Sequence, residues 1–205
     1  MTKNPKYSFA YAAASIRLNE MISIAEIANR TQSYDYKAIV SDNNVLGSIT
    51  KTFAVRLSRE LKNRLQYLTP TQIKVLATGD FNSQKHMAFL AVCKCYQFIS
   101  DFVLEVMREK VLVYDYQLFE SDYISFFNSK ANIHPEIEGY TESTKNKAKQ
   151  VMFLMLEQVG LINNTKDKNI QHQILNPDVI RAIADDNPDY LKLFLMPDAD
   201  INTYK

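Results

Sequence analysis

Along most of this 205-residue chain the apolar residues return every three or four positions, and only four glycines interrupt them, a pattern that requires packed helices rather than strands. With 46% hydrophobic residues, such helices can close a core without covalent staples. Cys93 and Cys95 cannot bridge each other, because side chains two residues apart on a helix diverge by about 200°. Unpaired thiols fit a reducing cytoplasm. Residues 1–6 carry no apolar leader, and no segment reaches the roughly 18 uncharged apolar residues of a membrane span. Residues 87–99 come nearest but are broken by Lys94 and read as a buried core helix. A cytoplasmic protein with no membrane contact is expected.

Punctuation sets the helix limits. Residues 8–29 predict one or two helices and residues 34–42 a short one, followed by a turn at Asn43, Asn44 and Gly47. Thr50 can cap a helix running to Leu68. Thr69, Pro70 and Gln72 spell a capping box, opening a helix that Gly79 closes. Residues 82–110 supply one or two core helices, and another begins near Ser121. Residues 129–140, with Pro135 and Gly139, form the longest predicted connection. They divide the chain into an N-terminal helical part, 1–130, and a C-terminal part, 131–205, unless the two merge into one globule. Thr141 or Ser143 can cap a helix ended by Gly160 in the left-handed position, and the alternation of Ile170, His172 and Ile174 suggests a small hairpin within 161–175. Asn176-Pro177 and Asn187-Pro188 each offer a cap and a first-position proline. The expected class is all-α, a compact helical protein with at most one small β-hairpin.

The 24 basic and 23 acidic residues nearly cancel, so any electrostatic function depends on where charge is placed. Winding residues 50–68 at about 100° per residue puts Phe53, Leu57, Leu61, Leu65 and Leu68 on one stripe, with Lys51, Arg56, Arg59, Lys62, Asn63 and Gln66 opposite. Those cations and amides can neutralise phosphate and reach base edges; a solvated helix face is the plainer alternative. Arg64 falls inside the apolar stripe and is expected to pair with a buried carboxylate. The second basic helix, residues 141–160, has an inner stripe of Ala148, Val151, Met152, Met155 and Val159. Ser143, Thr144, Lys145, Lys147 and Lys149 lie near its start, like the entry end of a recognition helix. Lys166 and Lys168 near the hairpin tip would then sit on a wing.

The chain has no P-loop, GxGxxG, GxSxG or HExxH pattern, and its histidines have no metal-ligand spacing with one another or with the cysteines. No cofactor, metal or catalytic group is expected. The least weak enzymatic alternative is a carboxylate site at Asp101, Glu105 and Glu109, which stack on one helix face and read more simply as a solvated acidic face. The aromatics Tyr114, Tyr116, Phe119, Tyr123, Phe126 and Phe127 have spacing suited to core packing.

Three stretches carry a family resemblance: VLGSITKTFAVRLSRELKNRLQYL at 45–68, SDFVLEVMREKVLVYDYQLFESDYISFF within 98–127, and the segment from EST at 142–144 to LMLEQVGLI at 154–162. In order and spacing the chain resembles the BrxA family, the small helical component of bacteriophage exclusion (BREX) systems. The third stretch is the most specific, because its serine, threonine, lysine and glycine all fall in place. The resemblance implies an all-helical monomer with two helix-turn-helix-like elements that binds double-stranded DNA alongside other BREX components. By position, Thr52, Arg56 and Arg59 fall in the first element, and Ser143, Thr144 and Lys147 in the second. The same faces would equally serve an adaptor meeting acidic protein surfaces.

Overall fold

Three backbone carbonyls, those of Ala14, Ser15 and Ile16, follow a short 3-10 helix at Ala10–Ala13 and meet the guanidinium of Arg64 at 2.7 to 3.3 Å. This computed structural model describes residues 7–42 and 51–204, with the backbone alone for residues 41, 42, 51 and 52. The expected turn at Asn43 to Gly47 and the Thr50 cap lie outside the described residues.

Helix α1 (Leu18–Thr31) buries Met21, Ile24, Ala25 and Ala28 at helical spacing, and α2 (Tyr36–Asp42) packs beside it. Helix α3 (Lys51–Leu65) is followed across a short turn by α4 (Pro70–Thr78), which lies against α1. The Thr69 and Gln72 capping box is formed in full. Gly79 ends α4 with ordinary negative φ, and the reason for glycine there is space: a Cβ would meet the Val75 carbonyl oxygen at 2.6 Å.

Helix α5 (Phe81–Cys95) is capped by Asp80 and buries every residue from His86 to Cys93, so the most apolar stretch is core. The chain then bends by 110° at Tyr96 into α6 (Gln97–Phe102), which continues through a π turn at Val103–Met107 into α7 (Arg108–Leu112). No single helix among the described residues is long and apolar enough to cross a membrane. After α7, Tyr114 N–H donates to Val111 O and Asp115 N–H to Lys110 O, a Schellman turn with Tyr114 at φ 61° where glycine is usual. Holding a non-glycine residue there costs about 1–2 kcal/mol.

Helix α8 (Glu120–Ile133) completes an aromatic core: Phe98 lies 5.1 Å from Phe126, Phe102 5.3 Å from Phe126, and Phe102 5.7 Å from Phe153. The expected long connection at 129–140 is instead mostly helical, since α8 runs to Ile133 and α9 (Pro135–Glu138) follows at once. Helix α10 (Glu142–Val159) is capped by Thr141 and closed by Gly160 at φ 86°. The chain then doubles back so that Ile162 and Ile170 form an antiparallel bridge, with Asn169 bridged to Gln117. Pairing stops at these isolated bridges, and no strand forms among the described residues. Helix α11 (Pro177–Ala184), a 3-10 turn at Pro188–Phe194 and α12 (Asp198–Ile201) close the fold, the first two starting from the Asn-Pro caps. One buried cluster extends from Tyr7 to Ile201, so the architecture is all-α around a shared core.

Candidate nucleic-acid interface

The first basic face is set by what lies behind it. Leu57, Leu61 and Leu65 of α3 are buried, and Arg64 has no exposed surface. Arg64 Nε meets Glu60 at 2.7 Å, and the Tyr96 hydroxyl donates to the same carboxylate at 2.5 to 2.6 Å. Burial, with Glu60 beside it, pushes the Tyr96 phenol pKa well above the usual range, so it stays a donor. This ion pair, expected from the position of Arg64 in the apolar stripe, locks α3 in rotation against the N-terminal segment and the α5–α6 bend.

With that rotation fixed, Arg56, Arg59 and Lys62 are exposed and Asn63 is half-buried at the edge of the same stripe. Gln66, in the turn after the helix, continues the stripe and is exposed. Among the described residues none of the three cations takes part in an ion pair. Residues 56 to 62 cover about 9 Å of helix axis. The side chains of Lys51 and Thr52 lie outside the described residues.

The second face is differently built. Ser143 and Lys147 are exposed, whereas Lys145 and Lys149 are half-buried and already engaged. Lys145 meets Glu142 at 2.8 Å and sits 5.7 Å over the Phe127 ring; Lys149 meets Glu120 at 2.5 Å and sits 5.6 Å over Tyr123. These two lysines line a groove of about 450 Å³ between α8 and α10 together with Glu120, Glu138 and Glu142, so its charge is mixed. Thr141, rather than Ser143, is the cap: its hydroxyl accepts from Thr144 N and lies 3.1 Å from Ser143 Oγ and 2.9 Å from Thr144 Oγ1.

Lys166 is exposed at the tip of the 163–169 turn, where Asn164 Oδ1 accepts from the backbone N–H of Lys166 and Asp167. Lys168 sits 5.5 Å over Phe153. Leu118 N–H donates to Lys168 O and Ile170 N–H to Tyr116 O, which ties this turn to the segment before α8. Phe153 lies eight residues beyond Lys145, about 12 Å along the helix. The turn is therefore clasped against the second half of α10, away from the helix entry.

Other sequence expectations change in place. Of the acidic face, Asp101 and Glu105 both meet Lys130, at 3.1 and 2.5 Å, and Asp101, which also accepts from the Tyr7 hydroxyl, is mostly withdrawn from solvent, whereas Glu105 and Glu109 remain exposed. Burial alone would lower the Lys130 pKa, but bonds to Glu105 and Asp101 raise it and keep the ammonium charged. No group of three or more His, Cys, Asp or Glu able to hold a metal occurs among the described residues. Cys93 and Cys95 are free, and burial pushes both thiols up, Cys95 to about 11, so neither presents a thiolate. Of the aromatics read as core, Tyr123 and Phe126 are buried, but Tyr114 is 82% and Phe119 55% exposed. The sequence signal for that exposure was the run Leu112, Val113, Tyr114, three apolar residues that no helical stripe can accommodate together.

A protein from Bacillus cereus (strain H3081.97) named BREX protein BrxA is 24% identical over 190 residues, spanning 90% of this chain and 95% of that relative. Another of the same name, from Paramagnetospirillum magneticum (strain ATCC 700264 / AMB-1), is 22% identical over 188 residues, spanning 91% and 94%. A third, from Escherichia coli O9:H4 (strain HS), is 22% identical over 136 residues, spanning 66% of this chain and 64% of that relative. A crystal structure of a protein from Magnetospirillum magneticum superposes with a TM-score of 0.79 at 21% identity, covering 94% of this chain and 99% of that one, and shares the fold. The BrxA family profile matches residues 5–187, and with the three quoted stretches inside those limits the chain belongs to the BrxA family.

Proposed function

We propose that this protein is a non-catalytic, cytoplasmic component of a BREX phage-defence system that binds duplex DNA as a monomer, with α3 as its principal phosphate-gripping element. The BREX assignment is supported by the names of its relatives. The observation that carries the DNA reading is the pinned α3 helix, which exposes Arg56, Arg59 and Lys62 without ion pairs among the described residues while its opposite face is buried. Unpaired cations on a rigid helix release counterions from DNA without first breaking an internal bond. Helix α10 is the secondary element, through Ser143, Thr144 and Lys147; Lys145 and Lys149 must leave Glu142 and Glu120 before they can meet phosphate.

Fluorescence anisotropy of a duplex of about 30 base pairs across a salt series tests this reading. Neutralising about three phosphates weakens binding about fortyfold between 50 and 200 mM salt, and about six weakens it a thousandfold or more. A value near the lower figure is expected. Reversing charge at Arg56 and Arg59 together should lower affinity and reduce the salt slope by about two. Unchanged binding in that variant removes α3 from the interface, and no salt-dependent binding by the unaltered protein favours the adaptor reading.

A further inference from the structure

The aromatic and aliphatic side chains at the end of α7 lie outside both the buried core and the basic faces. Leu112, Val113 and Tyr114 are 51%, 72% and 82% exposed in succession. Val113 lines a groove of about 530 Å³ between α7 and α8, walled by residues 105–113 on one side and 122–129 on the other, and Leu112 and Tyr114 flank it in sequence. Val106, Val113 and Phe126 form its apolar lining, and Glu105, Glu109 and Asp122 its acidic one. The lone cation in the lining, Lys110, is already held by Asp115 at 2.6 Å and Asp122 at 3.2 Å. Those walls span about 12 and 10 Å, the length of two turns of helix.

We propose that this groove docks a basic amphipathic helix of a partner protein, its apolar residues seated against Val113 and Phe126 and its lysines or arginines meeting Glu109 and the neighbouring carboxylates. Charge complementarity selects this occupant: the lining carries three carboxylates to one cation, and while Glu105 is shared with Lys130 and Asp122 with Lys110, Glu109 has no ion pair among the described residues and lies beside the exposed Val113. Tyr114, the residue after Val113, extends the exposed apolar run at this end of α7. Its left-handed backbone, in a Schellman turn, would be better served by glycine, so folding alone gives no reason for a large exposed ring there. A surface kept against the local preference of the backbone is the mark of a contact surface. The inference does not depend on DNA binding by α3.

The test uses the full chain and a labelled helical peptide with leucines at i, i+3 and i+7 and lysines elsewhere, beside a control in which glutamates replace the lysines. The lysine peptide is expected to bind and the glutamate peptide not to. Tyr114→Gly combined with Val113→Ser should weaken binding at least about tenfold, and Glu109→Lys should also weaken it, with neither variant losing thermal stability. Equal binding of the two peptides, or unchanged binding by the variants, overturns the proposal. In cells, a photo-crosslinking residue at position 114 should mark a basic, helically patterned segment of a different protein. Crosslinks to a second copy of this chain, to an acidic segment, or to nothing overturn it.

Discussion

Arg64 has no exposed surface, and it directs its donors to Glu60 and to three carbonyls from a segment about fifty residues earlier. Removing one member of a buried pair leaves the other uncompensated, at a cost of about 3–5 kcal/mol. Arg64→Ala should therefore lower the melting temperature by about 6–20 °C, measured by calorimetry. A drop of only a degree or two would mean that Glu60 is readily rehydrated. The burial of Arg64 was legible in its place on the apolar stripe, and Glu60, one turn earlier, was within reach of the same reasoning. The carbonyl acceptors were not, because periodicity says nothing about which distant backbone a side chain meets. His86 is another buried polar residue, 4% exposed and 3.3 Å from Gln173. Burial lowers its pKa, so the fold prefers the neutral ring while the unfolded chain titrates normally. That contribution is intact above about pH 6.5 and is lost as pH falls. Thermal stability should decline between about pH 7 and 5.5, and His86→Gln should flatten the decline. An equal decline in both proteins would place the effect elsewhere.

At the scale of elements, the caps were the most legible part of the chain. Thr69 with Gln72, Gly160, and the two Asn-Pro pairs all start or stop helices where their chemistry says they should. Gly79 and Gly160 do so for different reasons. A Cβ at Gly160 meets nothing within 4 Å, so Gly160→Ala costs only the strain of the left-handed backbone, about 1–2 kcal/mol. A Cβ at Gly79 meets backbone oxygen at 2.6 Å and the Ser83 Cβ at 3.0 Å, so Gly79→Ala must displace the end of α4 and should cost more, about 3 kcal/mol. Denaturant titration of the two variants should rank them in that order; the reverse order would mean that α4 yields at its end. The engaged state of Lys145 and Lys149 was hidden from the sequence, since Glu120 is about thirty residues before its partner and the rings beneath the ammonium groups come from α8. Nor was the bend at Tyr96, which has neither proline nor glycine to announce it.

For the whole molecule, helical class followed from periodicity, whereas the division near residue 130, with a single globule as its alternative, rested on Pro135 and Gly139, and only His134 separates α8 from α9. Contacts across that position are plentiful: Glu136 accepts from Tyr7 N–H, Gln158 from Ile16 N–H, and Gln72 donates to Ala182 O. Such pairings join residues more than a hundred positions apart and leave no trace in local spacing. Lys94 adds a further consequence. Its ammonium donates to Tyr67 O at 3.1 Å, in the turn after α3, to Gln72, and to Asp186 just beyond α11. One side chain thus fastens the turn after the basic helix to Asp186, just beyond α11. If DNA holds α3 still, the restraint should travel through that ammonium, and amide hydrogen exchange in α11 should slow although no nucleotide touches it. In a Lys94→Met variant the slowing should vanish while the protection of α3 remains.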